Sequence, residues 1–179
     1  MTDSLISVAP GLDEPLEILS ACHSRMLSQL RTLDRLVRWL PEHGADTDAQ
    51  KAATTVIRYF STAAVNHHRD EEEDVFPLLI ERSTPSARAR IRRLINWTIE
   101  DHRALEAAWA ELRKSLDVIA QGGDATLSAD EVTNFSTRYL NHIDREDNEL
   151  FPYAANVFSE ADLRRLTEHM TARRTAAGA

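Results

Sequence analysis

Four long stretches of this chain repeat apolar residues at steps of three and four, and near its middle each is interrupted by a histidine. The four stripes run through Leu12, Leu16, Leu19, His23, Leu27 and Leu30; through Val56, Phe60, Ala64, His67, Glu71 and Val75; through Ile91, Ile95, Thr98, His102, Glu106, Trp109 and Leu112; and through Val132, Phe135, Tyr139, His142, Glu146 and Leu150. In three of them a glutamate follows the histidine by four residues, one helical turn on. A core cannot hold this pattern unaided. An ionised carboxylate taken out of water without a partner costs several kcal/mol, on the order of what a whole domain has to spare, and several at one level also repel each other. A cation between them resolves the conflict. Imidazole nitrogen with carboxylate oxygen suits iron first, with zinc and manganese as alternatives.

The stripes predict helices over roughly 12–40, 47–79, 86–121 and 128–155, separated by turn chemistry at Gly44, Pro85 and Gly122–Gly123. A short fifth helix is expected from Ser159, capped together with Asp162. The chain also repeats itself. A shift of 75 residues lays Asn66-His67 on Asn141-His142, Glu71 on Glu146 and Phe76-Pro77 on Phe151-Pro152, and a weaker shift of 79 lays His23 on His102. Two related helix pairs joined by short turns predict an all-α fold, an antiparallel up-down-up-down four-helix bundle. The expected organisation is a tail over 1–11, the bundle over 12–155, and a short C-terminal helix with its tail over 156–179. Each Phe-Pro step is expected to end or kink its helix, because proline lacks a donor and clashes with the preceding turn.

Composition narrows the function. A net charge of -8 disfavours nucleic acid or an anionic membrane as partner, and the one basic run, Arg88, Arg90, Arg92 and Arg93, reads as a solvated helix face. A single cysteine, Cys22, allows no internal disulfide, and the first thirty residues show neither a signal-type apolar run nor a spanning segment. The expectation is a cytoplasmic protein.

His23, His67-His68-Arg69-Asp70-Glu71-Glu72 leading to Phe76-Pro77, His102, and His142 to Glu146 leading to Phe151-Pro152 together resemble the hemerythrin-like (HHE cation-binding) family over residues 12–155. The resemblance implies two non-haem iron ions with an oxo or hydroxo bridge, His23 and His67 on one, His102 and His142 on the other, and Glu71 and Glu146 bridging. It implies a small diatomic or peroxide ligand. Oxygen-carrying hemerythrins have a second histidine where this chain has Glu106. As a ligand, Glu106 would leave at most one position open and would favour the ferric state, so redox chemistry or sensing is expected over oxygen carriage.

Choices inside the motif stay open. His68 and Glu72 share the spacing of His67 and Glu71, though the stripe and the repeat select the latter pair; Asp147 competes with Glu146 as the bridge; Tyr59 is either a neighbour of the metals or ordinary core. Trp109 is expected to keep the site dry, Cys22 to point away from it, and His43 and His169 to face solvent. Ferritin-like di-iron proteins are a rival, but their Glu-x-x-His signature occurs nowhere in the chain. Iron storage or delivery, iron-sulfur cluster repair, and an enzyme consuming peroxide or nitric oxide complete the functional alternatives.

Overall fold

The computed structural model describes residues 14–176, and every regular element among them is helical. The expected N-terminal tail, 1–11, and Leu12 of the first stripe lie outside the described residues. In order, the elements are α1 (Pro15–His43), α2 (Thr47–Ser61), α3 (Ala63–Arg69), a π-helical segment (Asp70–Val75), α4 (Phe76–Arg82), α5 (Pro85–Ala120), α6 (Ala129–Arg145), a second π segment (Glu146–Leu150), α7 (Phe151–Val157) and α8 (Glu160–Ala176). The run from α2 to α4 is nearly continuous, broken only at Thr62, and α6 to α7 is continuous.

Local chemistry sets the ends. Asp46 accepts from the backbone N–H of Asp48 and Ala49 at 3.1 and 2.8 Å and starts α2. Thr84 caps α5 with Pro85 in its first turn, and Ser128 caps α6 through the N–H of Glu131. At the start of α8, Ser159 and Asp162 exchange hydrogen bonds in a reciprocal cap: the Ser159 N–H donates to Asp162 Oδ2 at 3.0 Å and the Asp162 N–H to Ser159 Oγ at 3.2 Å. α1 ends at Gly44, where φ is 62°, a conformation that glycine adopts without steric cost.

Contacts link α1 to α2, α2 to α5, α5 to α6, and α6 back to α1, so the four long helical runs close a ring around one interior. That interior holds two apolar clusters. One packs Met26, Leu33, Phe60, Leu112 and Phe135; the other packs Leu19, Phe76, Leu79, Ile91 and Phe151 under α8. Histidines and glutamates fill the level between them.

The Phe-Pro steps do not stop their helices, one of the two outcomes expected of them. Each helical run continues, but widens into a π turn just before its proline. In the first, the N–H of Phe76 reaches back five residues to the carbonyl of Glu71. Proline then falls where the hydrogen-bond ladder has already shifted, so its missing donor is accommodated there.

α8 is fastened to the first π segment. Asp70 has no exposed surface, and its carboxylate accepts from both Arg173 and Arg174, while Arg173 also reaches Glu73 and Asp74, and His169 reaches Asp74 at 2.7 Å. Removing both cations would leave a buried charge without a partner, which costs about 3 kcal/mol or more. Replacing Arg173 and Arg174 together by alanine is therefore expected to lower unfolding stability by about 3 kcal/mol. The same pair of changes in an Asp70→Asn background should cost far less, as read by urea unfolding.

Candidate metal centre

Four helical runs each bring a histidine to the level between the two clusters: His23 on α1, His67 on α3, His102 on α5 and His142 on α6, all at most 1% exposed. The π segments add Glu71 and Glu146, both fully buried. From histidine to glutamate the run is still α-helical, the Glu146 N–H donating to the His142 carbonyl, so residues four apart share the inward face; the π turn widens the run just beyond.

The geometry around these carboxylates is twofold. Glu71 sets Oε1 3.2 Å from His67 Nε2 and Oε2 3.4 Å from His102 Nε2. Glu146 sets Oε2 3.0 Å from His23 Nε2, and Oε1 3.2 Å from His142 Nε2 and 3.8 Å from His102 Nε2. Two tight groups result, His23, His67, Glu71 and Glu146, and His102, His142, Glu71 and Glu146, with both glutamates common to the two. A third grouping joins His68 to His102 and His142.

These atoms fit a metal by a direct criterion. Both oxygens of Glu71 and of Glu146, and Nε2 of His102 and of His142, are buried without a hydrogen-bond partner, a rare and costly condition for groups of this polarity. His23 Nε2 and His67 Nε2 lie 3.0 Å apart, the separation expected of two donors set at right angles about 2.1 Å from one ion.

Of the seven residues singled out in the sequence, six meet here and Glu106 does not. It is exposed and pairs with Arg103 at 3.0 Å. On α5 the buried stripe steps from His102 to Leu105, three residues on, and Glu106 falls at its solvent edge. The expectation that Glu106 is a ligand is revised accordingly.

His68, set aside in the sequence, is buried and stacks on His102 with ring centroids 3.9 Å apart. The inward stripe is wide enough at this level to take adjacent residues, as the more-than-100° apolar face of a packed helix allows. Burial, with His102 and His67 close by, holds the His68 imidazole well below its ordinary range, so it is neutral and free to donate a lone pair.

A further set of side chains faces the outer nitrogens. His23 Nδ1–H donates to Asp147 Oδ1 at 2.9 Å, His102 Nδ1–H donates to Glu72 Oε1 at 2.7 Å, and His142 Nδ1 faces Asp101 Oδ2 at 3.3 Å. Asp147 therefore holds a histidine from outside while Glu146 points inward. The spacing of Glu71-Glu72 and Glu146-Asp147 was the available sign of such paired roles. Asp101 had no sign beyond its place beside His102.

Rings close both ends. Phe151 stacks on His23 at 5.5 Å and Phe76 on His102 at 6.3 Å, which supplies the role that the Phe-Pro steps lacked in the sequence. On the other side Tyr139 lies 6.2 Å from His142, and Trp109 packs against Phe60 at 5.1 Å one layer further out. Tyr59 donates its hydroxyl to the carbonyl of Cys22 at 2.9 Å. His43, His169 and the four arginines of the basic run are exposed.

The site is thus that of an all-helical protein with a buried, carboxylate-bridged set of imidazoles able to hold a cation. The chain belongs to the family described as the hemerythrin HHE cation binding domain, whose model matches residues 14–154. It is also similar to an uncharacterized protein of Haemophilus influenzae, 30% identical over 162 residues that span 90% of this chain and 91% of that one. No helix among the described residues is long and apolar enough to cross a membrane.

Protons compete for these histidines. Burial pulls the imidazoles of His23 and His102 down, but carboxylates overcome it: Asp147 and Glu146 raise His23 to about 9, and Glu71 and Glu72 raise His102 to about 9. A raised histidine stabilises the metal-free fold fully below its unfolded value of 6.5, and that contribution is lost as pH rises through about 9. The melting temperature of the metal-free protein is expected to fall from pH 6.5 to 9. Metal-loaded protein, whose ligating histidines are already neutral, should show no such fall.

Proposed function

We propose that the protein is a non-haem di-iron protein that binds or reacts with dioxygen, peroxide or nitric oxide. The observation that carries the reading is the pair of shared carboxylates, each directing one oxygen to one histidine group and the other oxygen to the second. A single ion would leave half of those oxygens facing uncompensated buried imidazoles. Two ions engage all of them.

We read the ring of contacts between α1, α2, α5 and α6, with connections of two to eight residues between successive runs, as an antiparallel up-down-up-down four-helix bundle over the described part of 12–155, with α8 as an added C-terminal helix. His23 and His67 would hold one ion, and His102, His142 and His68 the other, with Glu71 and Glu146 between them. If each iron takes about six donors, two offer about twelve positions. Five imidazoles, four carboxylate oxygens and a solvent-derived bridge counted twice fill about eleven of them, which leaves room for one small ligand. The count favours the ion with two histidines. Bound there, iron would supply electrons or an electrophilic centre to a small oxidant, while Phe76, Phe151 and Tyr139 exclude bulk water.

The preference for redox chemistry over carriage rested on Glu106 as a hard anionic donor, and it goes with the exposure of that residue. Binding without turnover and enzymatic consumption are distinguished by assay. Iron-loaded protein that consumes peroxide or nitric oxide at steady state, well above a metal-free control, is an enzyme; uptake that stops at one equivalent marks a binder.

Metal analysis and Mössbauer spectra test the centre itself. The expected result is two irons per chain with coupled spins, lost in Glu71→Ala and unchanged in Glu106→Ala. One iron per chain, or loss on replacing Glu106, would overturn the assignment.

A further inference from the structure

Resting on the two-ion reading, we propose that the two positions are unequal: the His102/His142 position fills first and holds its ion, and the His23/His67 position is the exchangeable one. The difference lies chiefly in what stands behind His67 and His142, a thiol in one case and a carboxylate in the other.

Three of the four inward histidines have a carboxylate behind Nδ1: Asp147 for His23, Glu72 for His102 and Asp101 for His142. His67 is the exception. No carboxylate among the described residues pairs with its buried Nδ1, and the polar group interacting with its ring is the thiol of Cys22, whereas the equally buried Nδ1 of His142 faces Asp101 Oδ2 at 3.3 Å. The repeat shows this to be one site with two occupants. The shift of 79 that lays His23 on His102 also lays Cys22 on Asp101.

A carboxylate behind a ligating imidazole fixes the ring and strengthens it as a donor, and loss of such a partner typically weakens metal binding about 10- to 100-fold. A thiol is a weak acceptor and does little of either. Asp101 is well placed to act, being 5% exposed and held by Arg138. The guanidiniums of Arg138 and Arg103 are themselves about half in water, with 46% and 56% of the side chain exposed, so they orient Asp101 and Glu72 more than they neutralise them. His68 acts in the same direction. It groups only with His102 and His142, giving that position three imidazoles against two.

The test is an anaerobic calorimetric titration of the metal-free full chain with ferrous ion. Two steps are expected, separated by about tenfold or more in affinity. His102→Ala should remove the tight step, and His23→Ala only the weak one. Cys22→Asp should strengthen the weak step and narrow the gap by about tenfold, whereas Cys22→Ser should leave the gap as it is. Should the added carboxylate prevent folding, Asp101→Asn keeps the question open to measurement, since it should weaken the tight step alone. Two ions taken up in a single step of equal affinity, or a gap indifferent to both Cys22→Asp and Asp101→Asn, would overturn this inference while leaving the two-ion centre intact. A folded chain that takes up fewer than two ferrous ions would instead overturn the reading beneath it.

Discussion

Two carboxylates with no hydrogen-bond partner, Glu71 and Glu146, impose conditions that the rest of the molecule meets. Each sits between apolar clusters, where an uncompensated charge costs several kcal/mol. Positive charge must therefore come from the histidines around them or from metal. Nearby carboxylates raise His23, His67 and His102 despite burial, so without metal protons on these imidazoles offset part of the carboxylate charge. A cation that enters displaces those protons. The same arrangement thus lets the chain fold before it is loaded and makes loading dependent on pH.

How much of this was legible varied with the geometry involved. The four inward histidines stood out because a polar residue in the middle of an apolar stripe is visible wherever the helix is regular, and the 75-residue repeat singled out Glu71 and Glu146. Glu106 has the same spacing from its histidine as those two but belongs to α5, which has no π turn. On α5 the core accepts Leu105, three residues after His102, and Glu106 falls on the solvent side beside Arg103. A π turn has no compositional mark of its own, so the Phe-Pro step beside each one read as a break. His68 was missed for a related reason: the period places it off the stripe, and only the width of the interior at the level of His102 admits it.

The outer groups were harder to read, because they act across helices. Glu72 and Asp147 sit beside Glu71 and Glu146 in sequence, yet serve histidines on other helices, His102 and His23. The repeat preserves this exchange between halves. It does not preserve what faces outward: Asp70, fastened by Arg173 and Arg174, corresponds to Arg145, whose guanidinium lies 4.1 Å over the ring of Trp97. The inner layer answers to the charge of two carboxylates and is alike in both halves, while each outer face is tied to whatever packs on it.

Sharing has a consequence for folding. The donors are spread from His23 to Glu146, and neither half of the repeat completes either four-residue group by itself, since both of those groups take one glutamate from each half. An ion bound at either position therefore closes most of the chain into one unit, and whatever free energy it contributes goes to the folded state alone, growing with the logarithm of its concentration over its dissociation constant. α8 contributes in the same sense from outside: by gripping Asp70 it holds the residue next to Glu71, so a C-terminal helix with no inward donor still helps to set where the Glu71 carboxylate lies.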